Sequence, residues 1–139
     1  MTPDGLRIWE SGYAPKETMD RFAAAVTAHG MSILARIDHA AAAANVGMEL
    51  RPTEVLIFGN ARAGTPLMQA AQTIGIDLPL KAVVWQDAAG KTQIAYNHPD
   101  WLAERHDVHG GTDRILGVMA DTLAACVAAA TSGVTGAPQ

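Results

Sequence analysis

The sequence predicts an α+β fold: a single domain with a curved, mixed or antiparallel sheet of about five strands and helices packed on it. Three observations predict this class. The chain has 139 residues, of which 49% are apolar, as expected of one domain with one core. Its apolar pattern changes repeatedly between the strand period and the helix period. Two consecutive strand patterns flank a tight turn, so at least one strand pair is antiparallel.

Strand and helix patterns alternate through the first half of the chain. Residues 6–10, LRIWE, alternate apolar and polar side chains as a short edge strand does, and residues 15–29 carry one apolar helical stripe. Residues 31–37, MSILARI, predict a second strand. Asp38 then suits the N-cap of a short alanine-rich helix, and residues 55–58, VLIF, predict a central strand.

The second half predicts a hairpin between helices. The turn DAAG, with Gly90 as its left-handed residue, joins the strands LPLKAVVWQ and KTQIAY. Helices are predicted over residues 66–74, 99–106 and 113–130. On the last of these, the predicted core-facing residues are Ile115, Val118, Met119, Leu123 and Cys126. We expect one domain over residues 1–131 and a mobile tail over residues 132–139.

Charge and composition argue against several classes of partner. The formal net charge is −4 and the basic residues do not cluster, whereas a nucleic-acid binder needs a concentrated positive face. Cys126 is the single cysteine, which excludes an intrachain disulfide and fits a reducing compartment. No segment approaches the roughly 20 apolar residues that span a bilayer. We therefore expect a soluble, cytoplasmic protein that binds neither nucleic acid nor membranes.

The stretch EVLIFGNARAGTPLM, residues 54–68, has the order of parts found in a nucleotide-binding loop. Gly59 and Gly64 reproduce the glycine spacing of a phosphate-binding loop, but the lysine that should follow is absent. Thr65 fits a helix N-cap and Pro66 fits the first helical position, where a missing N–H costs nothing. We therefore favour a capped helix start over the alternative, a weakened anion site that uses Arg62 and the helix N-terminus.

Several histidines are candidates for polar contacts. His39 directly follows Asp38 at a strand end, where the carboxylate could hold the imidazole as a ligand or proton carrier; the alternative is a histidine that helps to cap its own helix. His98 takes the N-cap position of the helix that begins at Pro99. A histidine is an indifferent cap, so this position is a second candidate.

A built-in metal site is not predicted. His106 follows Arg105 at a helix end, where the helix dipole favours positive side chains. His106 and His109 are spaced for chelation only if the segment is helical, and the two glycines after His109 indicate a turn instead. The chain also lacks a cysteine partner and the HExxH pattern for zinc.

Six motifs together resemble one family. They are IDH (37–39), LRPTEVLIFGN (50–60), GTPLMQA (64–70), GIDLPLK (75–81), VW (84–85) and YNHPDWLAERH (96–106). In this order and spacing the chain resembles the domain-of-unknown-function family numbered 302, also called the TT1751-like family. The resemblance implies a curved antiparallel-type sheet with packed helices, a TBP-like topology and a homodimer. It implies no activity. Ala61, and Ala71 with Gln72, depart from the family pattern.

Three functions remain open at this point. Trp85 and Tyr96 on the two hairpin strands, with Met68, could line an apolar pocket that takes a flat ligand such as non-covalent haem. The favoured hypothesis is a non-catalytic, dimeric small-molecule-binding module with polar contacts from His39, Arg62, His98 and His106. The alternatives are a structural or protein-interaction dimer without ligand, and an enzyme that uses His39 with Asp38 as its base.

Overall fold

The computed structural model describes residues 2–131, so the predicted mobile tail lies outside the described residues. The strands are β1 (Leu6–Ser11), β2 (Ser32–Asp38), β3 (Thr53–Gly59), β4 (Leu80–Gln86) and β5 (Thr92–Asn97). The helices are α1 (Pro15–Ala28), α2 (His39–Asn45), α3 (Ala61–Ala70), α4 (Pro99–Arg105) and α5 (Asp113–Thr131), with a 3₁₀ helix (Gln72–Ile76) before β4. The predicted α+β class and sequence order of elements are confirmed.

The five strands form one sheet in the order β1-β5-β4-β3-β2, and every neighbouring pair is antiparallel. The predicted hairpin is present: β4 and β5 join through a turn in which Gly90 has a φ of 84°. In that turn the Asp87 carboxylate accepts hydrogen bonds from the backbone amides of Ala89 and Lys91, at 3.0 and 2.9 Å. β1 and β2 are the two edges of the sheet.

The core lies between α1, α5 and one face of the sheet. Phe22 of α1 packs edge-on against Phe58 of β3, with ring centroids 5.4 Å apart, and both side chains are fully buried. One predicted core residue of α5 is wrong: Val118 is 60% exposed. The buried stripe of α5 passes through Leu123, Cys126 and Val127 and leaves Val118 to one side.

The start of α3 differs from the prediction. The helix begins at Ala61, not at Pro66, and its N-cap is Asn60, whose side-chain Oδ1 accepts a hydrogen bond from the Arg62 amide at 2.9 Å. Asparagine caps at least as well as threonine, and it stands directly after the end of β3. Thr65 is therefore an exposed residue inside the helix, and Pro66 is tolerated there with one missing backbone hydrogen bond.

The region around β2 and α2 is largely open to solvent. Within β2 only Ala35 is partly covered, and α2 has no buried residue. The pairing of β2 with β3 shifts register between Ile33 and Ala35, so a simple alternation of side chains between the two faces of the sheet does not continue through the strand. Six large apolar side chains of this region are exposed: Ile33, Leu34, Ile37, Val46, Met48 and Leu50. We call these six the β2 surface.

The expectation that no segment approaches the length needed to span a bilayer is not met: among residues 2–131, one helix is long and apolar enough by length and composition alone. It is α5, and the core helix of a folded domain passes the same test. Leu123, Cys126 and Val127 on its inner face are buried in the core.

Candidate functional site

An apolar cavity of about 500 Å³ opens between the start of β2, the first half of α3, the start of β4 and α5. Its apolar walls come from Met31, Leu34, Met68, Leu78, Pro79, Leu80, Val118 and Met119. Five residues with polar side chains also line it: His29, Ser32, Asn60, Thr65 and Thr122. The cavity thus combines mostly apolar walls with a few polar groups, which is the usual composition of a small-molecule site.

The N-terminus of α3 forms one wall of this cavity, but it does not form a phosphate cradle. The amides of Ala63 and Gly64 both donate to the Asn60 carbonyl oxygen, at 3.0 and 2.9 Å, and the Arg62 amide is taken by the Asn60 side chain. These donors are used within the helix, so they are not aimed at a guest anion. The stretch does contain a capped helix start, but the predicted positions are wrong: Asn60 is the cap instead of Thr65, and the helix begins at Ala61 instead of Pro66.

Small residues leave room for the Met68 side chain in the cavity wall. A β-carbon added at Gly75 would lie 3.4 Å from the Met68 sulfur, and one added at Gly64 would lie 3.9 Å from its methyl carbon. Met68 therefore extends between α3 and the 3₁₀ helix. Together with Met31 and Met119 it places three thioethers in the walls, and such side chains adapt readily to ligands of different shape.

His29 caps the end of α1; it is exposed and is one of the residues that line the cavity. Its Nδ1 is 2.9 Å from the Ala25 carbonyl oxygen, which can only accept, so the nitrogen that carries the proton is Nδ1. The Cys126 sulfur lies 3.7 Å from the same nitrogen. Burial raises the pKa of the Cys126 thiol to about 11, so the sulfur stays protonated and uncharged at neutral pH.

A polar cluster beside the cavity joins two of the family-like motifs. The Asp77 carboxylate lies 2.5 Å from His106 Nε2 and 2.7 Å from Arg105 Nη1. The other ring nitrogen of His106 lies 2.9 Å from the Thr73 hydroxyl. Burial alone would raise the pKa of Asp77, but the hydrogen bond with His106 and the charge of Arg105 outweigh it and hold the pKa below its ordinary value. The cluster ties the end of α4 to the 3₁₀ helix.

Four of the predicted site residues, Asp38, His39, Arg62 and His98, are not among the residues that line the cavity. His39 is exposed as the first residue of α2, and Asp38 caps that helix by accepting from the Ala41 amide at 2.9 Å. His98 caps α4, where its Nδ1 accepts from the Asp100 amide at 3.1 Å. Arg62 is exposed on the first turn of α3, between two residues that line the cavity. Their roles as ligand contacts stay predictions.

Trp85 and Tyr96 cannot line one pocket, because they lie on opposite faces of the sheet. Tyr96 pairs with Ala82, and Trp85 is three residues further along β4, an odd step that turns its side chain to the other face. Tyr96 is buried and stacks on Trp9 instead, with ring centroids 5.2 Å apart. Burial raises the pKa of the Tyr96 hydroxyl.

Sequence reasoning considered Met68 as a pocket residue but missed His29, Met31 and Met119. These three come from α1, from the start of β2 and from α5, and only the tertiary fold brings them together. In the part of the chain that the structure describes, no group of three or more His, Cys, Asp or Glu side chains could hold a metal ion. His106 and His109 contact different carboxylates, Asp77 and Asp107.

The fold and site define a small α+β domain with an antiparallel sheet, two packed core helices and an apolar cavity beside an edge strand. The sequence profile described as Domain of unknown function DUF302 matches residues 8–129, and the chain belongs to this family. A solved structure of an uncharacterized conserved DUF302 protein from Bacillus stearothermophilus has the same fold. Its TM-score is 0.78 at 21% identity, over 90% of this chain and 97% of that one.

Curated relatives come from three Brucella species. A protein named Fluoride-specific ion channel FluC 1 from Brucella suis is 44% identical over 115 residues, which are 83% of this chain and 45% of that protein. Proteins named FluC 1 from Brucella abortus and FluC 2 from Brucella melitensis match at the same identity over 43% of their length. This chain therefore spans less than half the length of the curated relatives it matches.

Proposed function

We propose that the domain is a non-catalytic module that binds a small, largely apolar ligand in the cavity between β2, α3 and α5. The observation that supports this most directly is the cavity itself. Its volume of about 500 Å³ falls within the range of roughly 300 to 1,000 Å³ that is typical of sites for small molecules and cofactors. Mostly apolar walls would supply binding energy, and the few polar groups would orient the ligand.

The environment of His39, the candidate catalytic base, favours a binding function over a catalytic one. In the enzyme hypothesis Asp38 would orient His39, but the Asp38 carboxylate is already engaged as the cap of α2 and His39 is exposed there. Neither residue lines the cavity. A base must lie within hydrogen-bond reach of the atom that it deprotonates, and this pair stands apart from the one apolar cavity described above.

We also propose that the module works as a homodimer through the β2 surface. The large apolar side chains there are exposed on an edge strand and on the segment after α2, and the strand also presents unpaired backbone groups. A second copy of the chain would cover both features at once. Leu34 belongs to this surface and also lines the cavity, so the partner would lie close to the cavity mouth.

A dye titration with a blocked cavity tests the binding proposal. An anilinonaphthalene sulfonate dye becomes fluorescent in apolar sites, and we expect it to bind the wild-type protein. Val118→Trp places a large ring at the cavity lining and should weaken binding by at least about tenfold. Ala125→Trp is the matched control, because Ala125 is exposed on the same helix but does not line the cavity. Equal dye binding by both variants would refute the proposal.

A second candidate function follows from the Brucella relatives. An ion channel needs a polar path enclosed by membrane-spanning helices or a closed barrel. The segment shared with this chain corresponds to a packed α+β domain, so we propose that the channel named for those proteins resides in their unmatched part. The shared domain would then be an accessory module of fluoride transport.

Fluoride efflux from liposomes separates these roles. The full-length Brucella suis protein would be compared with a version that lacks the matched 115 residues. For an accessory module, we expect efflux to persist after the deletion and its dependence on an added apolar ligand to disappear. If efflux itself is lost while the truncated protein remains folded in the membrane, the shared domain is part of the conducting unit and this second candidate fails.

A further inference from the structure

We propose that the ligand of the cavity is a haem-type metalloporphyrin and that His29 Nε2 coordinates its iron. This inference rests on the proposed function and names the ligand class of the same cavity. The sequence did not single out His29 as a candidate ligand. His39, His98 and His106 do not line the cavity, so none of them would contact the iron.

The hydrogen bonding of the His29 ring leaves Nε2 free to bind a metal. Nδ1 donates its hydrogen to the Ala25 carbonyl oxygen at 2.9 Å, and the Cys126 sulfur lies on the same side at 3.7 Å. In the neutral ring this leaves the lone pair on Nε2. No other residue among those described hydrogen-bonds to Nε2. A backbone carbonyl that holds one ring nitrogen is a common way to fix a metal-binding histidine and to raise the basicity of the other.

The cavity favours an ion carried by an organic ring over a bare ion. Imidazole and thioether groups are ligands for both copper and haem iron, and His29 shares the cavity with Met31, Met68 and Met119. Among residues 2–131 no group of three or more His, Cys, Asp or Glu side chains could hold a bare ion, whereas the cavity leaves about 500 Å³ open. A flat apolar ring would fill that volume and contact the apolar walls, and its iron would be coordinated by His29.

The edge of the cavity also fits such a ring. A porphyrin that carries carboxylate groups must leave them in water or near a cation. Leu34 and Val118 are exposed lining residues, so the cavity opens to solvent beside them. Arg62 is exposed between Ala61 and Ala63, which both line the cavity, and we expect its guanidinium to pair with a carboxylate of the bound ring. The role of Arg62 as an anion contact stays a prediction.

Absorption spectroscopy with hemin tests the assignment. We expect the wild-type protein to give a sharpened, shifted Soret band, and His29→Gln to weaken hemin binding by at least about tenfold. Glutamine can still donate a hydrogen bond from this position but is a poor iron ligand. His39→Gln is the control, because His39 is an exposed histidine outside the cavity. Exogenous imidazole should restore the Soret band of His29→Gln.

Binding of metal-free protoporphyrin distinguishes coordination of the iron from the fit of the ring in the cavity. We expect it to bind wild type and His29→Gln alike, since it offers no iron. Equal hemin spectra for the two proteins, or an equal loss of hemin and metal-free porphyrin in His29→Gln, would overturn coordination by His29. If the anilinonaphthalene dye binds but hemin does not, the haem assignment fails and the proposed function stands. If neither binds, both fail.

Discussion

Asp77 shows what a single residue gains from the fold. In the sequence it is one carboxylate before a strand, with no visible partner. In the structure it meets Arg105 and His106, which lie nearly thirty positions later in the chain. Local patterns report only neighbours along the chain, so a contact across this separation could not be predicted from them. The cap role of Asp38 was predicted correctly, because it involves a backbone amide only three residues away in the chain.

Asp77→Asn should lower stability at neutral pH by about 1 to 2 kcal/mol, because the hydrogen bonds of the carboxylate are lost while part of the pairing is screened by solvent. The folded-state pKa of Asp77 is lowered, so its contribution is complete above the unfolded pKa of about 3.9 and disappears as pH falls through the folded pKa. Urea unfolding at neutral and acidic pH measures this.

The control for this experiment is Asp121→Asn, an exposed aspartate on α5. We expect it to change stability by less than about 0.5 kcal/mol. A difference between Asp77→Asn and wild type that stays constant from neutral pH to acid would contradict the assignment of the lowered pKa to Asp77.

At the scale of elements, periodicity located the helices and strands, but the start of α3 was misplaced. Thr65 and Pro66 form a good start signal, and Asn60 five residues earlier is an equally good cap. The end of β3 decides between them, since Asn60 is the first residue free of the sheet. Helix boundaries depend on such tertiary limits, which a propensity argument does not contain.

Asn60→Ala and Thr65→Ala form a pair that tests the start of α3. Asn60→Ala removes the hydrogen bond to the Arg62 amide and should cost about 1 kcal/mol of folding stability. Thr65→Ala changes an exposed helical position and should cost less than about 0.5 kcal/mol or stabilise slightly. Thermal or urea unfolding measures both. The reverse order of the two costs would place the helix start at Pro66 instead.

Glycine is required at position 5 both by its positive φ and by the close approach of the Trp101 ring. Its φ is 78°, and an added β-carbon would lie 2.3 Å from the ring of Trp101. Gly5→Ala should therefore destabilise the protein by about 2 to 4 kcal/mol, from backbone strain and from displacement of the ring. Gly30→Ala is the control, because Gly30 has a φ of 81° but nothing within 4 Å of the added atom. Its cost should stay near 1 kcal/mol.

For the molecule as a whole, the class, the number of strands and the hairpin could be predicted, because they follow from periodicity and turn chemistry. The cavity could not, since its walls come from segments that lie far apart in the sequence: His29, Met68 and Met119. Each of these three has an ordinary local explanation as a helix-end or core side chain. The strand order was also beyond sequence reasoning, although it makes β2 an open edge.

Ile37→Glu tests the proposed homodimer. Ile37 is 40% exposed within the β2 surface, and a charge there should separate a dimer into monomers in sedimentation experiments. Ile76→Glu is the matched control: Ile76 is 74% exposed on the 3₁₀ helix, outside the β2 surface, and its change should leave the dimer intact. A monomeric wild-type protein, or dissociation by Ile76→Glu alone, would contradict the proposed interface.

The most direct test of the ligand-binding cavity is a methyl NMR titration on protein with labelled methionine. Met31, Met68 and Met119 line the cavity, whereas Met19 is buried in the core and Met48 is exposed after α2. When the anilinonaphthalene dye is added, we expect the first three methyl signals to shift together and those of Met19 and Met48 to stay in place. A shift of Met48 without the cavity methionines, or no shift at any of the five, would contradict the account.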